Sequence, residues 1–146
     1  SQAGVKIQLI VRGICCLRPK VKGLSDNITV KSIIGRFLEH SRVYVFANGG
    51  KFLSDKNIVI MASGDLMPRN LYRRVETFIP LENETVRAQV LEQVMLALLK
   101  DTSNCWELQS DGTYIKQKYS ENNFSSHTYF MNNPSLSGQG SLAVPD

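Results

Sequence analysis

Lys6-Ile7-Gln8-Leu9-Ile10-Val11-Arg12-Gly13-Ile14-Cys15-Cys16-Leu17 is the stretch from which the fold is read. It is mostly apolar and rich in β-branched residues, the composition of a central strand covered on both faces. A turn-rich loop follows, from Arg18-Pro19 through residues 20–26, and Asn27-Ile28-Thr29-Val30-Lys31-Ser32-Ile33 alternates as a second strand. Arg42-Val43-Tyr44-Val45-Phe46 and Asn57-Ile58-Val59-Ile60-Met61-Ala62 flank the turn signal Ala47-Asn48-Gly49-Gly50, which predicts a hairpin. Pro68 suits the first turn of a short helix, and residues 75–81 read as extended. Asn83 is placed to cap a long helix over residues 84–100, where Val86, Val90, Leu91, Val94, Met95, Leu98 and Leu99 recur at helical spacing. Trp106-Glu107-Leu108 and Tyr114-Ile115-Lys116, split by Ser110-Asp111-Gly112, predict a small hairpin. The order predicts an α/β (mixed α+β) fold with a mixed sheet. Residues 1–119 form the domain, and residues 120–146, rich in Ser, Asn and Gly, form a weakly ordered tail.

The chain has 146 residues, 42% hydrophobic and 21% charged, which excludes wholesale disorder and provides for one core. No apolar run reaches the roughly 18 residues of a membrane-spanning helix. The N-terminal residues lack a signal-peptide layout and run straight into an apolar strand, as in a piece of a longer chain. Three cysteines without metal-ligand spacing are expected as buried, reduced thiols of a cytoplasmic protein. Residues 1–80 hold 13 Lys/Arg against 5 Asp/Glu, a balance of +8, and residues 81–146 hold 4 against 8, a balance of −4. The first half is thus suited to an anion, whether nucleic acid, nucleotide, inorganic phosphate or acidic lipid.

Four features of that cationic half can carry chemistry. Arg12 closes a strand, where a guanidinium either forks onto phosphate oxygens or forms a structural ion pair. His40-Ser41-Arg42 on an extended segment projects an imidazole and a guanidinium to one face, a pairing suited to phosphoryl chemistry. Ser63-Gly64-Asp65 with Arg69 and Asn70 joins a strand to a helix and reads either as an anion-binding junction or as an ordinary turn and cap. In Arg73-Arg74-Val75-Glu76 one arginine is expected to reach the site and the other to be solvated or paired with an acid. Glu76 is a candidate to orient His40.

Read in order, these strings resemble the last domain of the bacterial polyphosphate kinase family. The resemblance is carried by Val11-Arg12-Gly13-Ile14-Cys15-Cys16-Leu17-Arg18-Pro19, Ser32-Ile33-Ile34-Gly35-Arg36-Phe37-Leu38-Glu39-His40-Ser41-Arg42, Asn48-Gly49-Gly50, Met67-Pro68-Arg69-Asn70-Leu71 and Arg73-Arg74-Val75-Glu76, and it runs from Ala3 to about Tyr114. It implies a phospholipase D-like mixed sheet flanked by helices, here a partial domain. His40-Ser41-Arg42, Ser63-Gly64-Asp65 and Glu76 fall where that fold has its His-x-Lys strand, its turn and its later Glu, with Arg in place of Lys. The implied reaction is reversible transfer of the ATP γ-phosphate to the end of a polyphosphate chain, through a phosphohistidine in a preceding domain that this chain lacks. His40 then corresponds to the second active-site histidine and Arg12 to a nucleotide-phosphate contact. Arg42, Arg69 and Arg73 are expected to bind nucleotide or phosphate. Mg2+ accompanies ATP, with ligands mainly outside this chain and no metal site within it. The implied partners are ATP/ADP, inorganic polyphosphate, the missing domains and further copies of the full enzyme, with peripheral membrane association as an option. Nucleic acid is not a partner in this reading. The alternatives are a phospholipase D-like phosphodiesterase or nuclease half-site with His40 as nucleophile, and a non-catalytic polyanion-binding module.

Overall fold

The computed structural model describes residues 1–118 and 122–133. In chain order the elements are β1 (Ile7–Ile10), β2 (Ile28–Ile33), β3 (Val43–Phe46), β4 (Ile58–Ala62), α1 (Pro68–Arg73), β5 (Phe78–Pro80), α2 (Glu84–Gln89), a π-helical segment (Val90–Met95), α3 (Leu96–Lys100), β6 (Cys105–Leu108), β7 (Tyr114–Lys116) and α4 (Ser126–Asn132). The chain divides into two compact units: residues 1–39 with the described residues from 97 onward, and residues 40–96. Each is mixed or antiparallel β with a few short helices, so the mixed α/β expectation holds. The strands form two small sheets rather than one.

The first unit holds a four-stranded sheet in the order β1-β2-β6-β7. β1 runs parallel to β2, with Ile7 opposite Ile28, while β2–β6 and β6–β7 are antiparallel. The opening stretch is therefore an edge strand in the described sheet, not a central one, and it stops at Ile10. Its apolar content has another use. Ile7, Leu9, Val11, Cys15 and Leu17 pack against the buried Ile28, Val30 and Leu108, so strand and following loop together cover one side of the core. The hairpin at residues 106–116 is present as expected. In its turn Asp111 accepts from the backbone N–H of Thr113 at 2.9 Å and from its hydroxyl at 2.7 Å, which holds the Asp111 carboxyl below its usual range.

In the second unit β3, β4 and β5 form an antiparallel sheet, with Val43 opposite Met61 and Met61 opposite Ile79. Asn48 and Gly49 both take positive φ, and the Gly50 N–H donates to the Ala47 carbonyl at 2.9 Å. This turn starts the loop back to β4. The buried Asn57 pins that loop by donating its side-chain amide to the Lys51 carbonyl at 2.8 Å. Pro68 occupies the start of α1 as read from the sequence.

Asn83 caps α2, its side chain accepting from Val86 N–H at 3.1 Å. The expected long helix is present but widened in its middle, where the Leu96 N–H donates to the carbonyl of Leu91, five residues back. A π-turn admits an extra residue and rotates everything beyond it. Accordingly Leu96, Ala97 and Leu98 are buried while Leu99 is only half-buried, a face that a uniform 3.6-residue period does not give. Among the described residues no helix is long and apolar enough to cross a membrane.

One expectation needs correction. Residues 126–132, assigned to the weakly ordered tail, form α4, with Ser126 and His127 buried. Polar composition hid the helix because its anchor is polar: Ser126 donates its N–H and hydroxyl to Asp101 at 2.7 and 2.6 Å. Asp101 is itself fully buried. Residues 120–121 and 134–146 of the expected tail lie outside the described residues, as does residue 119 of the expected domain. The cysteines also differ from expectation: Cys105 is buried, Cys15 half-buried and Cys16 exposed, all as free thiols.

Candidate functional site

The second unit gathers its chemistry around the turn at residues 63–65, which leaves β4 and leads into α1. Ser63 N–H donates to the Thr77 carbonyl at 3.0 Å, and the Ser63 hydroxyl accepts from Thr77 N–H at 3.0 Å. These contacts bring the approach to β5 alongside the turn. The same hydroxyl donates to a carboxylate oxygen of Glu76. Gly64 is required here, because a Cβ would stand 2.6 Å from Cδ of Glu76. The Glu76 side chain lies almost wholly out of solvent at 7% exposure, and its other oxygen stands 3.2 Å from Nε of Arg74. The carboxylate is thus held by Ser63 and Arg74, not by His40. Of the two adjacent arginines, Arg74 is the one paired with an acid.

Arg42 enters from just before β3. Its Nε donates to Asp65 Oδ1 at 3.1 Å and its Nη1 to the backbone carbonyl of His40 at 2.7 Å. The guanidinium therefore folds back along the His-x-Arg segment and ties His40's backbone to the turn, with two donor groups already engaged. Asp65 is fixed further by its carbonyl, which accepts from the buried Asn70 side chain at 3.1 Å and from Met67 N–H at 2.8 Å. Those bonds brace Ser63-Gly64-Asp65 from just before β3, from α1 and from the approach to β5. Tyr44, two residues after Arg42 and on the same strand face, donates its hydroxyl to the Gly64 carbonyl at 3.1 Å. Burial pushes the Tyr44 hydroxyl up, Asp65 adds to the rise and Arg42 opposes it, so it stays a neutral donor.

The imidazole of His40 is exposed. Arg69 and Arg73 are exposed on α1 and, among the described residues, neither has an acidic partner. In the first unit Arg12 follows β1. Ser32 Oγ donates to its carbonyl at 3.0 Å, and its Nη1 donates to the carbonyl of Glu39, the residue that precedes His40 in the chain. Of the two readings of Arg12, the structural ion pair is not formed among the described residues, and the guanidinium contacts a backbone carbonyl instead. Arg42, Asp65, Glu76 and the turn come together in the second unit with His40's backbone, while Arg12 belongs to the first.

Among the described residues no group of three or more His, Cys, Asp or Glu side chains assembles as a metal cage. Asp65 and Glu76 each face an arginine, so these residues do not fit a resident cation. Asn70 is named in the sequence together with the 63–65 junction, whereas Tyr44 is not singled out for the site. The two-residue spacing from Arg42 signals Tyr44, but nothing local signals the burial of Asn70.

The chain matches the family described as Polyphosphate kinase C-terminal domain 2 over residues 1–127. It is 61% identical over 140 residues to the polyphosphate kinase of Erythrobacter litoralis (strain HTCC2594), covering 96% of this chain and 20% of that protein. The polyphosphate kinase of Helicobacter pylori (strain ATCC 700392 / 26695) is 48% identical over 130 residues, 89% of this chain and 18% of that protein. The crystal structure of polyphosphate kinase from Porphyromonas gingivalis superposes with a TM-score of 0.81 at 34% identity, over 94% of this chain and 21% of that one. The chain thus spans about a fifth of the length of these relatives.

Proposed function

The chain belongs to the polyphosphate kinase family, as the domain described as C-terminal domain 2, and from that premise we propose that it supplies cations and an imidazole to reversible transfer of the ATP γ-phosphate onto polyphosphate. The substrate is the magnesium complex of ATP, or ADP with polyphosphate in reverse. The phosphorylated histidine lies in the preceding domain of the whole enzyme. The transferred group is anionic throughout, so positioning and cationic stabilisation supply most of the catalysis. In this reading His40 hydrogen-bonds the moving phosphoryl group or exchanges a proton with it. Arg12 holds nucleotide phosphate, and Arg42, Arg69 and Arg73 spread the remaining charge. Glu76, bound to Ser63 and Arg74, shapes the turn.

The observation that supports this most directly is the pair Arg69 and Arg73. They stand four apart on α1, where like charges repel by roughly 0.2–0.5 kcal/mol, and no acid relieves them among the described residues. An exposed cationic pair of this kind matches a polyanionic ligand. The test is kinetic, in a full-length polyphosphate kinase carrying this domain. His40→Ala is expected to cut kcat by about 10²-fold or more with the fold intact. Arg12→Ala is expected to raise KM for ATP. Near-normal constants in both variants would remove the assignment.

A further inference from the structure

His127 has no part in the site described above, yet it is among the largest fully buried side chains, at 2% exposure. The contacts of its ring with Gly35, Phe37 and Glu39 fall on one short segment of its own unit. Nδ1 accepts from Phe37 N–H at 3.3 Å, and the ring lies against Phe37 at 5.2 Å between centroids. Nε2 faces Glu39 Oε1 at 3.8 Å, beyond hydrogen-bond reach. A Cβ on Gly35 would fall 2.5 Å from Nδ1, so the chain passes this ring only as glycine. The imidazole thus touches residues 35, 37 and 39 in turn, and His40 is the next residue.

The support behind the ring is firm. Ser125 caps α4 by accepting from Thr128 N–H at 3.2 Å and accepts from the Asn104 side chain at 3.1 Å. Ser126 donates twice to the buried Asp101. Acceptance at Nδ1 requires that nitrogen to carry no proton. The ring is therefore the neutral tautomer with its proton on Nε2, turned towards the Glu39 carboxylate. Arg12 holds the Glu39 carbonyl from elsewhere in the same unit.

We propose that His127 is a positioning residue for the chain that leads into His40, its neutral imidazole clamping residues 35–39 within the first unit. This rests on the role given to His40 under the proposed function. Small misplacements of a reacting group are costly, so a clamp one residue away acts on turnover more than on nucleotide binding.

The test uses a full-length polyphosphate kinase carrying this domain and two readouts, hydrogen exchange of the peptide spanning residues 34–40 and steady-state kinetics. His127→Leu, which fills the space without an acceptor, is expected to speed exchange at the Phe37 amide by about tenfold or more. It should lower kcat by about tenfold, with KM for ATP changed by no more than about threefold. His127→Asn keeps an acceptor near the Nδ1 position and is expected to recover most of both. Unchanged exchange, faster exchange with normal kcat, or a folded His127→Asn no better than His127→Leu would each overturn the clamp. Should His127→Leu fail to fold, Gly35→Ala carries the same test, since it forces a methyl into the ring's seat with His127 intact, and normal exchange and turnover there overturn the clamp. His40→Ala run in parallel separates the two readings. Normal turnover in it removes the role of His40, whereas normal His127→Leu kinetics beside a crippled His40→Ala removes the clamp alone.

Discussion

Cys16 and Cys105 bring the same thiol into opposite surroundings. Cys16 is exposed, whereas Cys105 sits fully buried on β6. Burial pushes the Cys105 thiol up, with Lys31 opposing and Asp101 and Glu107 adding to the rise. The thiolate is the reactive form, so iodoacetamide at neutral pH is expected to label Cys16 readily and Cys105 only after denaturation. Peptide mapping of the native protein checks this, and fast native labelling of Cys105 would contradict its burial. Arg42 shows how far single residues are legible in sequence. Its place beside His40 follows from the spacing, but its bonds to Asp65 and to the His40 carbonyl do not. The Asp65 partner lies beyond an entire hairpin, and only folding brings it near.

Elements were legible where a local rule decided them. Turn chemistry at Asn48-Gly49, a proline opening α1 and an asparagine before α2 each name their structure from a few residues. The cap is open to measurement. Asn83→Ala is expected to cost about 1 kcal/mol of stability and Asn83→Gly only a few tenths, read by chemical denaturation. Equal, negligible effects from both would show that α2 does not depend on the cap. The rule fails where partners are distant. The edge position of β1 depends on which strands pair with β2. α4 depends on Asp101, a buried carboxylate that no periodicity reveals. The π-turn at residues 90–95 likewise shifts a face that helical spacing alone assigns differently.

For the whole molecule, the family and the mixed α/β fold could be read from the sequence, because long strings of residues carried them. The division into two units could not, since it depends on contacts among residues far apart in the chain. The chain spans about a fifth of its relatives, and the proposed reaction needs a histidine from outside it. The isolated chain is therefore expected to make no polyphosphate from ATP, as followed by product assay. Synthesis by this piece alone would overturn the division of labour proposed here. The first unit also imposes a timetable. Its sheet pairs β2 with β6, whose residues are synthesised only after all of residues 40–96. On the ribosome the continuous inserted unit can close while its host still lacks half its strands, so the host matures last and is the part that premature termination leaves unfinished.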